Sequence, residues 1–599
     1  MKKGRGELTF VQLQVKSAYS LLESSLTIVD LVKAAKARGY QALALTDMQS
    51  LSASVDFYNT CQAAGIQPII GLTIEPASIL ATEQTAPLLV YALDQPGYRA
   101  LLKLSTCLMI AKEPVPLSKL QPYIAKLAVI TPAYAAELPE FAQADFSQTQ
   151  PYLQQLQELK PLKLYLGVSL QPEGQPYVAA LKRVSQQSQL PLIALEDVCY
   201  LDPADVFSVT VLQHIKAGTT LSVPQEAPKG THYLAQAATI AARYREHGLA
   251  AAAAATVEFA QADHLQIKLH HSLLPKFPVP TGQPSHIYLR EVAVRGLRRR
   301  FKDQQIPPAY QKRLDYELSV IQQMGFDDYF LIIWDVMQYA HRVNILTGPG
   351  RGSAAGALVA YALAITEVDP LKYNLLFERF LNPQRHNMPD IDLDIPDNKR
   401  EQLLQYVHQK YGHFHMAQII TFGTLAAKQA LRDVGRVLGL SQFELADWSK
   451  AVPSLLHIDL HSAYQQSLRL RNLVSDSPRN QLLFATACKL EGLPRHYSTH
   501  AAGIVLSDQD LTDYVPLQTG SEGILLTQFP MGNVEALGLL KMDFLGLRNL
   551  TILANALKQI KLQTGHTLPI AKVPLDDAAT IKLFQQGDTD GVFQFESAG

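Results

Sequence analysis

The sequence predicts a multidomain chain, α/β at its N-terminus and mixed α/β and α+β beyond, on three observations. Its 599 residues exceed what one hydrophobic core supports, so about three to five domains are expected. Short apolar runs alternate with helical periodicity across residues 1–269, which suggests a parallel sheet and a (β/α) barrel. From 270 onward, basic helices, strand-bearing segments and a helical insertion replace that alternation.

Leu8–Val15 reads as a strand and Ser25–Gly39 as a helix, with Thr27 a suitable cap. Ala42–Leu45 is a short apolar strand, Leu51–Ala64 a second helix and Pro68–Ile74 another strand. Further strands are expected at Leu88–Leu93, Leu127–Thr131, Leu162–Ser169 and Leu192–Glu196. An alanine-rich helical stretch covers Ala235–Phe259, where Ala250–Ala255 offers helix propensity and little chemistry. His270–Gln283 holds three prolines, which break regular structure and mark the first domain boundary. Helices are expected at Tyr288–Phe301, Tyr310–Met324 and Tyr329–Val343, and residues 424–497 are mostly helical. The chain stops after GVFQFESAG without an obvious terminal cap, an ending that reads as truncated.

Composition is that of a soluble globular protein: 47% hydrophobic and 18% charged argue against a disordered or fibrous chain. No apolar run reaches the ~18 residues of a membrane span, and the start lacks the apolar core of a signal peptide. No membrane partner and a cytoplasmic location are therefore expected. Cys61, Cys107, Cys199 and Cys488 are widely spaced, which suits buried reduced thiols better than a disulfide framework. A net charge of −1 decides nothing, because nucleic-acid binding needs only a local basic track.

The sharpest motif is Pro389-Asp390-Ile391-Asp392-Leu393-Asp394-Ile395. Alternation puts the three aspartates on one strand face and the aliphatic residues on the other, toward a core. Such a row is repulsive unless hard cations such as Mg²⁺ offset it. Taken alone it is equally an acidic edge strand or a weak calcium loop. The second motif, Gly348 to Gly356, is a glycine-rich loop expected to enter a helix over Ala357–Ala364. Free backbone N–H groups there, with Arg351 and the Ser353 hydroxyl, would seat a phosphate. It lacks the Gly-Lys-Ser/Thr of a Walker loop, and alone it is equally a bare glycine turn. In the third, Leu540 to Gly546, Lys541 and Asp543 share one strand face. That pair alone is a common surface ion pair. Together the three make the parts of a two-metal nucleotidyl transferase, whose ions stand about 3.5–4 Å apart.

At these residues the chain resembles the bacterial C-family DNA polymerases. The blocks GPGRGSAAGALVAYAL, LLFERFLNP, MPDIDLDI, ITFGTLAAKQALRDVGRVLG, STHAAGIVLS and LKMDFLGLRNLTIL occur in family order. The resemblance implies a PHP-like (β/α) barrel at 1–269 and a polymerase-beta-like nucleotidyltransferase palm at 270–423 and 498–548. It also implies a helical thumb at 424–497 and the start of helical fingers at 549–599. It assigns Asp390, Asp392 and Asp543 as catalytic ligands of two Mg²⁺, with Asp394 outside the usual set. Gly352 and Ser353 map onto the phosphate-contacting pair, with Arg351 adding charge, while Arg379 and Lys541 match basic residues near the triphosphate or primer end. Lys428, Arg432 and Arg436 recur on one helical face that could track DNA phosphates, or equally be a solvated basic face. The implied partners are primer–template DNA, dNTPs, and a sliding clamp with other replisome subunits.

The N-terminal domain departs from metal-binding PHP domains. Gln12, Gln14 and Lys16 stand where histidines are usual, Met48 follows Asp47 in place of His, and Thr73 takes a Glu position. Pro87, Cys199 and Val209 replace further histidines, leaving acids such as Glu23, Asp47 and Asp197. An ammonium at Lys16 would repel a metal cluster. The domain is therefore expected to be a structural platform without exonuclease activity, as the resemblance suggests for some low-GC Gram-positive polymerases. Two alternatives stand beside DNA synthesis: a chain that binds DNA or replisome partners with weak or no catalysis, and a PHP metal-dependent phosphoesterase.

Overall fold

The computed structural model describes residues 9–78, 84–144, 146–222, 228–269, 273–280, 282–302, 305–384, 389–570 and 573–595. Leu8 of the first expected strand, His270 to Ser272 of the expected boundary, and the final residues 596–599 lie outside these. Contacts divide the described residues into two compact units, one drawn from 1–272, 417–500 and 510–538, the other from 273–416, 501–509 and 539–599.

The first unit opens with eight strands: β1 (Gln14–Val15), β2 (Ala42–Leu45), β3 (Gln67–Ile74), β4 (Leu88–Ala92), β5 (Ala128–Thr131), β6 (Lys163–Val168), β7 (Leu192–Ala194) and β8 (Asp197–Val198). Strands β2 to β7 form one sheet in chain order, while β1 pairs with β8 in parallel. A parallel bridge between Gln12 and Leu43 ties β1's approach to β2, giving a barrel-like arrangement. The sheet is mixed rather than parallel, because β4 runs antiparallel to both β3 and β5. Parallel neighbours need a crossover, usually a helix. Between β3 and β4 the described chain instead makes an antiparallel bridge at Ala77 and Thr85. Val11, Leu13, Ala44, Ile69, Tyr91, Ile130 and Ile193 face a common core closed by Phe259.

Helical expectations hold with local shifts. Thr27 caps the helix Ile28–Ala37 by accepting from the Asp30 N–H. The alanine-rich stretch splits into Ala237–Glu246 and Ala250–Gln261 at Gly248, whose φ of 63° no helix accommodates.

Six strands follow: β9 (Asp392–Pro396), β10 (Met416–Thr424), β11 (Pro494–Leu506), β12 (Leu517–Gln518), β13 (Leu525–Pro530) and β14 (Leu540–Leu547). In the first unit β13 pairs parallel with β10 and antiparallel with β12. Five helices between Ala427 and Leu490 build the insertion. Their core of Leu431, Val434, Trp448, Leu460, Leu483 and others also takes in Ala18, Phe207, Val211 and Leu212 from the N-terminal domain. Each such aliphatic side chain contributes roughly 1.5–3 kcal/mol by leaving water. Gln528 of β13 is fully buried, accepting from the Leu51 N–H and donating to Ser105 Oγ. In the second unit β14 is central, parallel to β9 and antiparallel to the Gly503–Leu506 stretch of β11.

Candidate active site

The site grows from two strands. On β9 and its approach Ile391, Leu393 and Ile395 are buried, while Asp390 is exposed, Asp392 is half-buried, and Asp394 is half-buried as a residue but has an enclosed side chain. The period of two thus aims the carboxylates away from the core. On β14 Leu540, Met542 and Phe544 are buried, with Lys541 and Asp543 on the opposite face. The parallel register sets Asp543 directly beside Asp392, and its neighbour on the other side is Gly503, which brings no side chain. Carboxylate oxygens of Asp390, Asp392 and Asp543 lie within 4.8 Å of one another, the one such trio among the described residues.

Like charges at roughly 4–5 Å cost about 3–4 kcal/mol per pair at a surface-like dielectric. One ammonium answers them: Lys541 Nζ lies 3.0 Å from Asp543 Oδ2. At Asp392, burial and then the charges of Asp390 and Asp543 raise the pKa above its ordinary value, with Arg351 opposing. Asp543 Oδ1 is buried and accepts no hydrogen bond from the described residues. An orphaned carboxylate oxygen among hard oxygen donors fits a divalent cation of the Mg²⁺ type. Tyr329 braces the group, its hydroxyl oxygen accepting from the Ile391 N–H at 3.0 Å. Burial first, then the three carboxylates, push its phenol up.

The glycine loop meets the same strand. Gly348 N–H donates to the Asp394 carbonyl at 2.9 Å. Gly350 is required twice over: its φ is 92°, and a Cβ there would stand 2.6 Å from Thr366 Cγ2. Arg351 turns back onto Asp394, with Nη2 2.6 Å from Oδ1. The expected helix over Ala357–Ala364 is shorter. A 3-10 turn fills Gly352–Gly356, and the α-helix runs only from Leu358 to Ala362, ended by Ala364 at φ 54°. No long helix begins at Ser353, so a dipole contributes little there. What Gly352 and Ser353 present is exposed backbone and a hydroxyl. Buried Glu317 holds the short helix, accepting from the Val359 N–H at 2.9 Å and from Arg313 Nε at 2.7 Å. Its burial raises its pKa to about 7.

Arg379, itself exposed, ends a 3-10 turn, Phe377–Arg379, whose Phe377 is buried. That turn packs on the loop so closely that a Cβ at Gly356 would stand 2.7 Å from the Leu376 carbonyl oxygen. In the first unit, Lys428, Arg432 and Arg436 share the outer face of the helix Ala427–Val437, opposite buried Leu431 and Val434. Arg436 is engaged by buried Asp433 at 2.9 Å, which also holds Arg495 at 2.7 Å. Arg432 donates to Gln429.

Around the degenerate positions of the N-terminal domain the acids find internal partners. Lys16 Nζ and His232 Nδ1 each lie 3.5 Å from Asp197 Oδ2. Burial opposes a charged Asp197, but Lys16 and His232 outweigh it and lower the pKa. Asp47 accepts from the Ser17 N–H and from the hydroxyls of Ser17 and Ser20 at 2.6–2.7 Å, although burial still raises its pKa. Glu23 pairs with Lys216 at 2.6 Å. Thr73 donates to the Thr46 carbonyl, and Val209 is buried in the core. Sequence reasoning missed His232 and the Asp394–Arg351 pair. The first is a lone histidine; the second joins positions 43 residues apart, so neither leaves a local signal.

Comparison with known proteins bears on all of these segments. The family model of the bacterial DNA polymerase III alpha NTPase domain matches residues 287–546, the PHP domain model 12–169 and the alpha-subunit finger domain model 549–599. The chain is built of polymerase III alpha-subunit domains. It is 43% identical over 596 residues to the DNA polymerase III subunit alpha of Bacillus subtilis, covering 99% of this chain and 53% of that protein. The corresponding protein of Halalkalibacterium halodurans is 40% identical over 98% of this chain and 53% of its own length. That of Staphylococcus epidermidis is 39% identical, over 98% and 52%. The chain thus spans about half the length of the curated relatives it matches. Among the described residues no helix is long and apolar enough to cross a membrane.

Proposed function

We propose that this chain carries the catalytic centre of a DNA-directed DNA polymerase that extends a primer 3′-hydroxyl with dNTPs. The convergence of Asp390, Asp392 and Asp543 across β9 and β14 carries the reading. Asp390 and Asp392 would hold two Mg²⁺ ions, with Asp543 on the one nearer the primer end. Bound there, Mg²⁺ supplies activation of the 3′-hydroxyl and neutralisation of charge on the departing pyrophosphate. The 3′ oxygen bonds to the alpha-phosphorus, the bond to the beta-phosphate bridge breaks, and the hydroxyl proton passes to water. Lys541 steadies Asp543 against its neighbours. Gly352 and Ser353 seat the beta and gamma phosphates, and exposed Arg379 lies on the adjoining turn. Lys428 and Arg432 follow the DNA backbone, so affinity falls with salt. A sliding clamp and other replisome subunits are the expected partners.

The N-terminal domain, on this reading, is a platform rather than a phosphoesterase. Supporting this, Lys16 and His232 already answer Asp197, and Phe207, Val211 and Leu212 complete the core of the helical insertion. Primer extension with Mg²⁺, by this chain and by a chain of the relatives' full length, tests both statements. Synthesis by the longer chain should fall at least about 1,000-fold in Asp392→Ala. Release of 3′ nucleotides that survives Asp392→Ala would favour the phosphoesterase, and DNA binding without either reaction would favour a non-catalytic role. Mn²⁺ at 100 times its Kd should add about 2.7 kcal/mol of stability. That gain should vanish in Asp392→Ala and persist in Asp197→Asn.

A further inference from the structure

Asp394 is the third carboxylate of the β9 row and stands apart from the trio beside Asp543. Its side chain is only 7% exposed, and a carboxylate this enclosed needs a compensating partner. Arg351 is that partner. Its Nε donates to Oδ2 at 3.1 Å, and its Nη2 touches Oδ1 at 2.6 Å as a charge contact rather than an aligned hydrogen bond. Two-point contact between a planar guanidinium and a carboxylate fixes orientation as well as distance. The other end of the loop is tied to the same residue. Gly348 N–H donates to the Asp394 carbonyl at 2.9 Å, and a Cβ at Gly348 would stand 2.5 Å from Asp394 Cβ. The ring of Phe593 lies 5.8 Å from the Arg351 guanidinium carbon, closing a further side. Gly348 to Arg351 is therefore pinned at both ends to one strand residue, two positions from Asp392.

We propose that Asp394 is a positioning residue: through Arg351 and Gly348 it locks the glycine loop to the strand bearing Asp390 and Asp392, setting the distance between triphosphate and metal ligands. This rests on the polymerase reading above. Arg351 then acts as the loop's anchor, its guanidinium committed to Asp394, and phosphate recognition falls to Gly352 and Ser353. The reverse arrangement, a loop floating free of β9, would leave the nucleotide's placement to a segment without rigid support. Misplacement of about 1 Å is enough to cost on the order of 100-fold in rate.

The test uses this chain, with Mn²⁺ and dATP as probes and binding of each followed separately. Asp394→Asn keeps the shape and one acceptor while losing the charge, and Arg351→Gln removes the charge from the other side while leaving a shorter amide donor. Each should weaken dATP binding in the presence of Mn²⁺ about 10-fold, while Mn²⁺ without nucleotide still binds, its affinity shifted only by the changed charge near Asp392. Because the two act as one unit, the double variant should weaken dATP by about 10- to 20-fold rather than 100-fold. Independent, multiplying losses would overturn the proposal, as would unchanged dATP affinity in Asp394→Asn with a lowered Tm, the result of a merely structural role. Loss of Mn²⁺ in Asp394→Asn would make Asp394 a metal ligand and overturn it too. Asp392→Ala is the control for the underlying reading: Mn²⁺ binding that survives it removes the polymerase site itself, and the proposal falls with it.

Discussion

Asp197 in the N-terminal domain is buried and Asp392 in the second unit half-buried; both sit on short strands, yet their pKa values move in opposite directions. Burial works against the charged form of each. At Asp197 the ammonium of Lys16 and the ring of His232 more than offset it. At Asp392 the nearest groups are Asp390 and Asp543, and they add to it. Burial likewise opposes the charge on Lys16, but Asp197 and Glu23 outweigh it and raise its pKa. The difference teaches that acidic residues alone do not make a metal site. What matters is whether the chain brings its own cations to them. One cluster sets two cationic groups, Lys16 and His232, against Asp197, although Asp197 Oδ1 accepts no hydrogen bond from the described residues; the other holds three carboxylates against Lys541.

The contrast can be broken most sharply at Lys16. Lys16→Met keeps the aliphatic stem and deletes the charge, leaving Asp197 enclosed with half its support. Denaturant unfolding should show a loss of about 3 kcal/mol, and an unchanged midpoint would mean the pair is incidental. His232→Gln should cost less, about 1 kcal/mol at pH 6. Burial opposes the charge on His232, but Asp197 and Glu173 raise its pKa above the ordinary 6.5. Its stabilisation is therefore fully present below about 6.5 and lost as pH rises through the higher folded value. Wild type and variant should converge once pH is well above that folded value; a constant gap would point to packing instead.

Asp392→Asn sharpens the comparison from the other side, with the smallest effect and the opposite sign. Its folded pKa is raised above 3.8, so the charged form destabilises the fold increasingly as pH rises past 3.8, and in full above the folded value. In EDTA at pH 7 the variant should melt roughly 1–2 °C higher than wild type, after allowance for solvent screening. At pH 3 the two should coincide. A lower Tm at pH 7 would show that the trio is already compensated within the protein.

Much of this was legible along the chain. The PDIDLDI alternation announced which side chains β9 buries, and Leu540 to Phe544 did the same for β14, because strand periodicity is a local property. The cap at Thr27 and the bounds of Ala42–Leu45 follow equally local rules. The antiparallel course of β4 did not show, since strand direction depends on the connection and not on the strand's own residues. Nor did the shortness of the helix after the glycine loop, which Ala364 ends in a left-handed conformation its residue type does not advertise. The partnership of Lys16 with Asp197 was half visible: an ammonium hostile to metal could be read from the residue, but not the acid it would meet.

By itself the sequence determined which residues could carry charge, which faces would be buried and the order of the motifs, because patterning and motif act over a few neighbouring residues. The tertiary structure alone decided that Asp543 stands beside Asp392, that Asp394 takes Arg351 and that Lys16 takes Asp197. Each pairing depends on strand register or loop closure between distant segments, and a register slip of one residue turns every carboxylate to the other face.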